Sequence, residues 1–155
     1  MTYGPGQGPG PLSLSDDELT ALLAGHRMGA LAANKGDGHP HLSTVAYHWD
    51  PARRLVRIST IDDRAKVRRL RRDPRAALYV TSADHLAFVV AQGKAELSAV
   101  SEVPGDAAGR ELLALQPPFA RADDEKAFLE QMVIDRRLVI RLRVSRLYGT
   151  RLDVP

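Results

Sequence analysis

The chain has 155 residues, which is enough for one domain with a sizeable buried core. Its hydrophobic fraction of 44% and charged fraction of 26% are ordinary for globular proteins and argue against a disordered or fibrous chain. The absence of cysteine excludes disulfides, thiolate nucleophiles and cysteine-ligated metal clusters. We find neither an apolar run of about 20 residues nor a signal-peptide pattern, so we expect a cytoplasmic protein without a membrane partner.

The net charge of +3 is unevenly distributed along the chain. The stretch from Arg53 to Arg75 holds ten Arg or Lys residues against three acids, which favours a local anionic partner. A nucleic-acid surface is one interpretation of this stretch. However, the aromatic fraction of 5% leaves few side chains to stack on bases, and we expect no nucleic-acid partner.

The predicted elements begin after a tail. Residues 1–12 are rich in Gly and Pro and are predicted to be disordered. Ser15 and Glu18 form a capping-box pattern ahead of the leucine stripe of a first helix. A β-hairpin follows, in which an Asn-Lys-Gly-Asp-Gly turn joins an apolar strand to an extended segment.

The rest of the chain combines strands with short helices. A helix over 64–72 must end before Pro74, which disfavours helical geometry in the residue before it. Residues 101–134 are helical in pattern with a break at Pro117, and Gly93 predicts a bulge. The alternating segments predict six strands, over residues 28–33, 39–49, 54–60, 76–81, 87–97 and 138–149.

Six strands in mostly hairpin order, with about four short helices, predict an antiparallel barrel decorated by helices rather than a doubly wound sheet. Barrel closure also removes exposed strand edges. The last strand is expected to bury one face, and Trp49 and Phe128 are expected in the core.

The strongest local signal lies where the third strand meets the helix. The strand ends in two hydroxyls, the acids Asp62 and Asp63 are placed to cap the helix, and Arg64, Lys66 and Arg68 follow. Phosphate favours such a place, because helix amide groups point outward, the dipole is favourable and basic side chains add charge-assisted hydrogen bonds. The alternative is an ordinary solvated helix face.

The segment from Asp37 to Tyr47 is polar on both faces of its predicted strand. This pattern fits a strand between the barrel core and a ligand cleft, or an edge strand with a wet face. His39 and His41 share a face, but no third ligand is evident, so we expect no metal site. The sequence lacks a G-x-S-x-G elbow and the Rossmann and Walker fingerprints.

Three motifs stand in a specific order: DGxPxxSxVxYxxDP over 37–51, RAKxRxLxxDPRA over 64–76 and DRRxxxRxxVSRxYG over 135–149. Their order and spacing resemble the flavin/deazaflavin oxidoreductases, a superfamily of split β-barrels that includes pyridoxamine 5'-phosphate oxidase. The B-type subgroup, which depends on coenzyme F420, is the most similar. The resemblance implies a homodimeric, six-stranded split β-barrel over residues 13–150, followed by a tail over 151–155.

The resemblance also implies a cofactor site between two subunits. The residues that it assigns to the cofactor phosphate and its surroundings are Ser59, Arg64, Lys66 and Arg68. Those that would line the flavin or deazaflavin ring are Pro40, His41, Ser43, Thr44 and Val45. Those that the partner chain would contribute are Leu86, Phe88, Arg146 and Tyr148.

The function expected from this resemblance is that of an F420-dependent oxidoreductase, which transfers hydride from the reduced deazaflavin to a small conjugated or unsaturated substrate. Arg57, Arg68 and Arg72 are expected to attract the acidic oligoglutamate tail of F420, which FMN lacks. Tyr47 and His48 are candidate proton donors. The alternative is an FMN-binding or tetrapyrrole-binding split-barrel protein with little turnover, because a fold does not determine a function.

Overall fold

The computed structural model describes residues 3–154, which are built around one curled antiparallel sheet. The strands of this range are β1 (Pro11–Ser13), β2 (Met28–Asn34), β3 (Pro40–Ala46), β4 (His48–Asp50), β5 (Leu55–Ile61), β6 (Arg75–Thr81), β7 (Phe88–Leu97), β8 (Arg137–Tyr148) and β9 (Thr150–Leu152). Its helices are α1 (Asp16–Ala24), α2 (Ala65–Arg72), α3 (Ala107–Ala114) and α4 (Ala122–Ile134). Within these residues, no helix combines the length and the hydropathy that a bilayer crossing requires.

One predicted strand is in fact two strands at opposite edges of the sheet. The main sheet has the order β3-β2-β6-β7-β8-β5-β4, so β3 and β4 are its two edges. Only Tyr47 separates these strands in the chain, and consecutive Cα atoms lie about 3.8 Å apart. The two edges are therefore held close together, and the sheet curls into a split barrel. The prediction of six strands is corrected to seven, because the chain changes edges at Tyr47 within the segment His39 to Trp49.

The inner face of the curled sheet forms the main core. Helix α1 packs Leu19 and Leu23 against it, and α2 packs Val67 and Leu70. Trp49 is buried in the same cluster, as predicted. The strand residues that are almost fully buried there are Leu31, Val56, Ile58, Leu78, Val80, Val89, Leu138, Ile140 and Leu142. Burial of each such side chain stabilises the fold by about 1.5–3 kcal/mol.

Strand β8 is buried on more than the one face that we predicted. Val139, on its outer face, is fully buried with Leu112 of α3 and Met132 of α4, and Phe128 packs partly buried against this cluster. Alternation along β8 cannot reveal this cover, because α3 and α4 supply it from elsewhere in the chain. The same outer face continues to Arg141, which lies at the edge of α3.

The start of α1 confirms the predicted capping box. Ser15 Oγ accepts a hydrogen bond from the Glu18 amide, and the Ser15 amide donates to Glu18 Oε1, each at 3.2 Å. These bonds satisfy two of the amide groups that a helix start leaves without partners.

The start of α2 differs from the prediction. Its N-cap residue is Arg64, and no side chain caps its amide groups. Asp62 and Asp63 were expected to cap it, but Asp62 instead accepts hydrogen bonds from Arg71 at 2.6 Å and Arg136 at 3.2 Å. The first amide groups of α2 therefore remain available to a ligand.

The two ends of the described chain pair with each other. Strand β1 runs antiparallel to β9, with Pro11 opposite Leu152 and Leu12 opposite Arg151. These four residues lie in the two segments predicted as tails, 1–12 and 151–155. Their pairing depends on contacts between distant parts of the chain, which local composition does not report.

Strand β7 contains the bulge that we predicted at Gly93. The register between β7 and β8 shifts between Gln92 and Gly93. A Cβ atom at position 93 would lie 1.8 Å from the carbonyl oxygen of Arg143, so a residue without a side chain is required at this approach of two backbones.

Helix α3 begins at Asp106, whose carboxylate organises the preceding loop. Its Oδ1 accepts from the Gly109 amide at 2.8 Å and from Ser101 Oγ at 2.9 Å. Its Oδ2 accepts from the amides of Glu102 at 2.9 Å and Val103 at 3.2 Å. Burial alone would raise the pKa of Asp106, but the four hydrogen bonds outweigh it and lower the pKa to about 2.

We expect the free energy of unfolding to fall as the pH drops from 3.8, the ordinary Asp pKa, to about 2, the folded pKa of Asp106. A group with a lowered folded pKa contributes stability above its unfolded pKa and loses it as pH falls through the folded value. Asp106→Asn retains a capping side chain but does not titrate, so it should lose less stability over this window. Urea unfolding at several pH values measures both proteins, and equal losses would contradict the expectation.

Candidate functional site

A small cavity lies where β3, β5 and α2 meet, and we call it the anion cradle. Its volume is about 170 Å³. The residues that line it are Thr44, Val45, Ala46, Ser59, Thr60, Ile61, Arg64, Lys66 and Arg137. The structure thus brings together Thr44 and Val45 of the predicted ring strand with Ser59, Arg64 and Lys66 of the predicted phosphate group.

The anion cradle is lined by three basic side chains. Burial lowers the pKa of Lys66, and the nearby Arg64 lowers it further. Within residues 3–154, neither of these two side chains forms an ion pair with a carboxylate. Arg137 donates from Nη1 to Ser59 Oγ at 3.2 Å, and its Nε lies 3.7 Å from Asp135 Oδ2. The cradle therefore holds positive charge that an anion would compensate.

Arg137 is a cradle residue that the sequence reasoning missed. It follows Ser59 by 78 positions and reaches it because β8 pairs with β5, where Arg137 lies opposite Ile61. The available signal was the motif that begins at Asp135, which contributed only to the family resemblance.

The other predicted basic contacts lie apart from the cradle. The exposed Arg68 donates to the carbonyl oxygen of Asp63, and Arg72 donates to that of Asn34. Arg57 lies on β5 and lines other cavities. Arg68 therefore does not line the cradle, and Arg57, which is expected with Arg68 and Arg72 to attract an acidic tail, lines cavities that contain neither of them.

Ion pairs within the chain compensate much of the charge between Arg53 and Arg75. The pairs are Arg54 with Asp16, Arg57 with Glu111, Arg71 with Asp62 and Arg75 with Asp73.

Strand β3 carries polar residues on both of its faces, as predicted. His41, Ser43 and Val45 turn inward, whereas Leu42 and Thr44 are exposed. His41 Nδ1 and Ser43 Oγ are buried without a hydrogen-bond partner among the described residues. Buried polar atoms without partners are costly in a folded protein, so β3 carries two unused hydrogen-bonding atoms on its inner face. Pro40 begins the strand and is exposed.

Leu86 and Phe88 do not join the cradle of their own chain. Phe88 begins β7 and stacks on Tyr79 of β6, with 5.5 Å between ring centroids. Strand β7 lies three positions from β3 in the sheet, a separation of about 14 Å at the usual strand spacing. Leu86 precedes β7, where its carbonyl oxygen accepts from the Leu152 amide.

A larger cavity of about 550 Å³, which we call the central cavity, adjoins the cradle and shares Ala46 and Ser59 with it. Tyr47 and His48 both line it. Tyr47 is buried, its hydroxyl donates to the Leu23 carbonyl oxygen at 2.6 Å, and burial raises its pKa. His48 is exposed. Of the two predicted proton donors, only His48 therefore has a side chain free to meet a ligand.

The histidines give no sign of a metal centre. Among the residues that the structure describes, no three His, Asp or Glu side chains are grouped as metal ligands would be.

A match to a known family establishes to which family the chain belongs. Residues 15–151 match the family described as pyridoxamine 5'-phosphate oxidase. The chain belongs to the pyridoxamine 5'-phosphate oxidase family. The matched range contains every residue of the cradle, so the cradle is part of the domain that defines this family.

Solved structures show the same fold in other proteins. A conserved hypothetical protein from Mycobacterium tuberculosis is 26% identical, with a TM-score of 0.68, and the match covers 89% of this chain and 85% of that one. A FAD-binding protein from Mesorhizobium loti is 21% identical, with a TM-score of 0.65 and coverage of 95% and 100%. A protein described as an F420 reductase is 24% identical, with a TM-score of 0.57 and coverage of 82% and 93%.

The residues of this family member suit a phosphorylated, flavin-like cofactor. The anion cradle offers basic side chains and free helix amide groups to a phosphate. The unpartnered His41 Nδ1 and Ser43 Oγ offer hydrogen-bonding atoms on the adjoining strand. Both features involve β3.

Proposed function

We propose that the protein is an oxidoreductase that uses the deazaflavin coenzyme F420 to reduce a small conjugated or unsaturated organic molecule. The observation that carries this proposal is the anion cradle, where Arg64 and Lys66 lack ion-pair partners within residues 3–154 and border a strand with unpartnered polar atoms. When bound, the reduced cofactor supplies hydride. The protein binds and orients the cofactor and keeps water from the reacting groups.

The phosphate would be held at the start of α2. We assign this role to Ser59, Arg64 and Lys66, as the sequence suggested, and we add Arg137, which already contacts Ser59. Arg68 is left out of the phosphate contacts, because its guanidinium is turned back to Asp63. Charge-assisted hydrogen bonds in a partly desolvated cavity are stronger than those between neutral groups.

The ring of the cofactor would lie along β3. The candidate ring contacts are Pro40, His41, Ser43, Thr44 and Val45. His41 Nδ1 and Ser43 Oγ would gain the hydrogen bonds that they lack. This gain supports a ring that carries polar atoms at its edge, which deazaflavin and flavin rings both do.

The site would be completed by a second copy of the chain. The outer face of β3, β2, β6 and β8 exposes Leu42, Met28, Tyr79 and Tyr148, with exposed fractions between 39% and 64%. Register places these side chains on one face of the sheet. Exposed apolar side chains on one face of a sheet support a homodimer. The partner would then contribute its copies of Leu86, Phe88, Arg146 and Tyr148.

His48 is our candidate proton donor. It lines the central cavity beside the cradle, and its side chain is exposed. Tyr47 is withdrawn from this role, because its buried hydroxyl already donates to Leu23.

A binding protein with little turnover is the second candidate function. The Tyr47 hydroxyl donates its hydrogen bond to the Leu23 carbonyl oxygen. One of the two predicted proton donors is therefore absent, which favours a protein without turnover. Such a protein would hold FMN or a tetrapyrrole in the same site.

Titration of the purified protein with F420, FMN and heme, followed by fluorescence or absorbance, tests the proposal. We expect F420 to bind more tightly than FMN, and the protein with reduced F420 to reduce at least one enone or quinone in a substrate screen. Tighter binding of FMN or heme, without turnover of any compound, would support the second candidate. Binding of none of the three would contradict both functions.

A further inference from the structure

A second cationic cavity lies on the outer face of β5 and β8, beside the last turn of α3. Its volume is about 660 Å³, and we call it the arginine cavity. Four arginines line it: Arg53, Arg57, Arg141 and Arg143. The proposed phosphate site does not use these residues.

Two of the arginines face each other directly. Arg57 on β5 lies opposite Arg141 on β8, a placement in which like charges destabilise a sheet. Glu111 of α3 lies between them. Arg141 Nε donates to Glu111 Oε1 at 2.7 Å and Arg141 Nη2 donates to Oε2, which lowers the pKa of this carboxyl. The single carboxylate of Glu111 thus compensates part of the charge of both guanidinium groups.

Of these two arginines, Arg57 has the weaker contacts with carboxylates. Its side chain is only 15% exposed, and its Nε makes no hydrogen bond to any residue that the structure describes. The nearest carboxylate oxygens are those of Glu111 at 3.4 Å from Nε and Asp50 at 3.9 Å from Nη1. A largely desolvated charge with an unused donor is costly, and an anion beside the Nη groups of Arg57 would compensate this charge.

The remaining charges leave the cavity cationic. Arg143 is paired with Glu96 through bonds of 2.7 and 3.1 Å, whereas the exposed Arg53 has only Asp50 at 3.9 Å. The carbonyl end of α3 at Ala114 also faces the cavity and opposes an anion. Four guanidinium groups nevertheless exceed the three carboxylates beside them.

The arginine cavity is continuous with the site already described. The central cavity shares Ala46 and Ser59 with the anion cradle. It shares Arg57, Ala114 and Leu115 with the arginine cavity. The three cavities therefore neighbour one another along β5, which contributes Ser59 and Arg57 to them.

We infer that the arginine cavity is a second anion site, separate from the anion cradle, which binds the carboxylate groups of a ligand. The planar donors of arginine match a carboxylate in pairs, as Glu111 and Glu96 already show. The carboxylates come either from a separate small polycarboxylate or from the acidic chain of the cofactor itself. Only the second source rests on the proposed function.

Calorimetric titration of the cofactor-free protein with citrate at low salt tests the inference. We expect saturable binding that weakens about tenfold or more in Arg57→Gln, the loss expected for a charge-assisted hydrogen bond. The surface variant Arg121→Gln should bind citrate like the unmodified protein, since Arg121 is exposed and lies outside these cavities. If Arg57→Gln does not fold, the exposed Arg53→Gln should show a smaller loss of the same sign.

Competition identifies the source of the carboxylates. If F420 displaces citrate whereas FMN does not, the cofactor's acidic chain occupies the arginine cavity. If citrate binds equally with F420 present, a separate polycarboxylate is the ligand. Three results would overturn the second site. The first is that citrate does not bind, and the second is that Arg57→Gln and Arg53→Gln leave citrate binding unchanged. The third is that Lys66→Ala abolishes citrate binding. Citrate binding without any F420 binding would leave this site standing and defeat the proposed function.

Discussion

Replacement of Lys66 by Ala should weaken the binding of a phosphorylated cofactor by about 1.5–3 kcal/mol, or roughly 10- to 100-fold. Lys66 lies in the anion cradle without a carboxylate partner among the described residues, so its ammonium group is free to compensate a phosphate. The variant should also fold normally, because the Lys66 side chain makes no hydrogen bond or ion pair with any residue from 3 to 154. Titration of F420 or FMN into each protein, followed by fluorescence, gives the two dissociation constants.

Two controls separate the phosphate contact from other effects. Riboflavin shares the ring of FMN but has no phosphate, so its affinity should be the same for Lys66→Ala and for the unmodified protein. Lys126→Ala removes an equal charge from the exposed surface of α4 and should leave the affinity for FMN unchanged. If Lys66→Ala bound FMN as tightly as the unmodified protein, the phosphate would lie elsewhere.

Replacement of Gly93 by Ala should lower the free energy of unfolding by about 3 kcal/mol. The new methyl group would have to occupy a point 1.8 Å from the Arg143 carbonyl oxygen, so β7 and β8 must separate at the bulge. The obstruction is backbone rather than a flexible side chain and cannot rotate away. Unfolding in urea, monitored by circular dichroism, measures the change.

Gly8 provides the matched control for this substitution. A Cβ atom there would meet nothing within 4 Å, so Gly8→Ala should change the free energy of unfolding by less than about 0.5 kcal/mol. Gly149→Ala should behave like Gly93→Ala, because its Cβ would lie 1.9 Å from the Phe88 carbonyl oxygen. A loss at position 93 no larger than that at position 8 would show that the strands accommodate the methyl group.

The sequence predicted the parts of the fold that short-range chemistry controls. The capping box at Ser15 and the bulge at Gly93 each depend on residues within a few positions or on the special geometry of glycine. The two faces of β3 follow from alternation alone. The division of His39 to Trp49 into two edge strands was not predictable in this way, since alternation continues through Tyr47 while the hydrogen-bonding partner changes.

The candidate site was predictable only in part, for a related reason. Ser59, Arg64 and Lys66 lie within eight positions of each other, and the helix start brings them to one cavity. Arg68 has the same chemistry and lies one turn further on, but its side chain turns back to Asp63. Whether such a side chain points into the cavity or back along the chain depends on the groups around it. The spacing of basic residues in the sequence does not specify those groups.

By itself, the sequence determined the alternation of faces along strands such as β3, the capped start of α1, and the ordered motifs that agree with the family match. Only the tertiary structure decided that Arg137 joins Ser59 and that Glu111 joins Arg57 to Arg141. Periodicity reports the face on which a side chain lies, because this depends on the local backbone. It does not report which distant strand or helix packs against that face, because that depends on the pairing of the whole sheet.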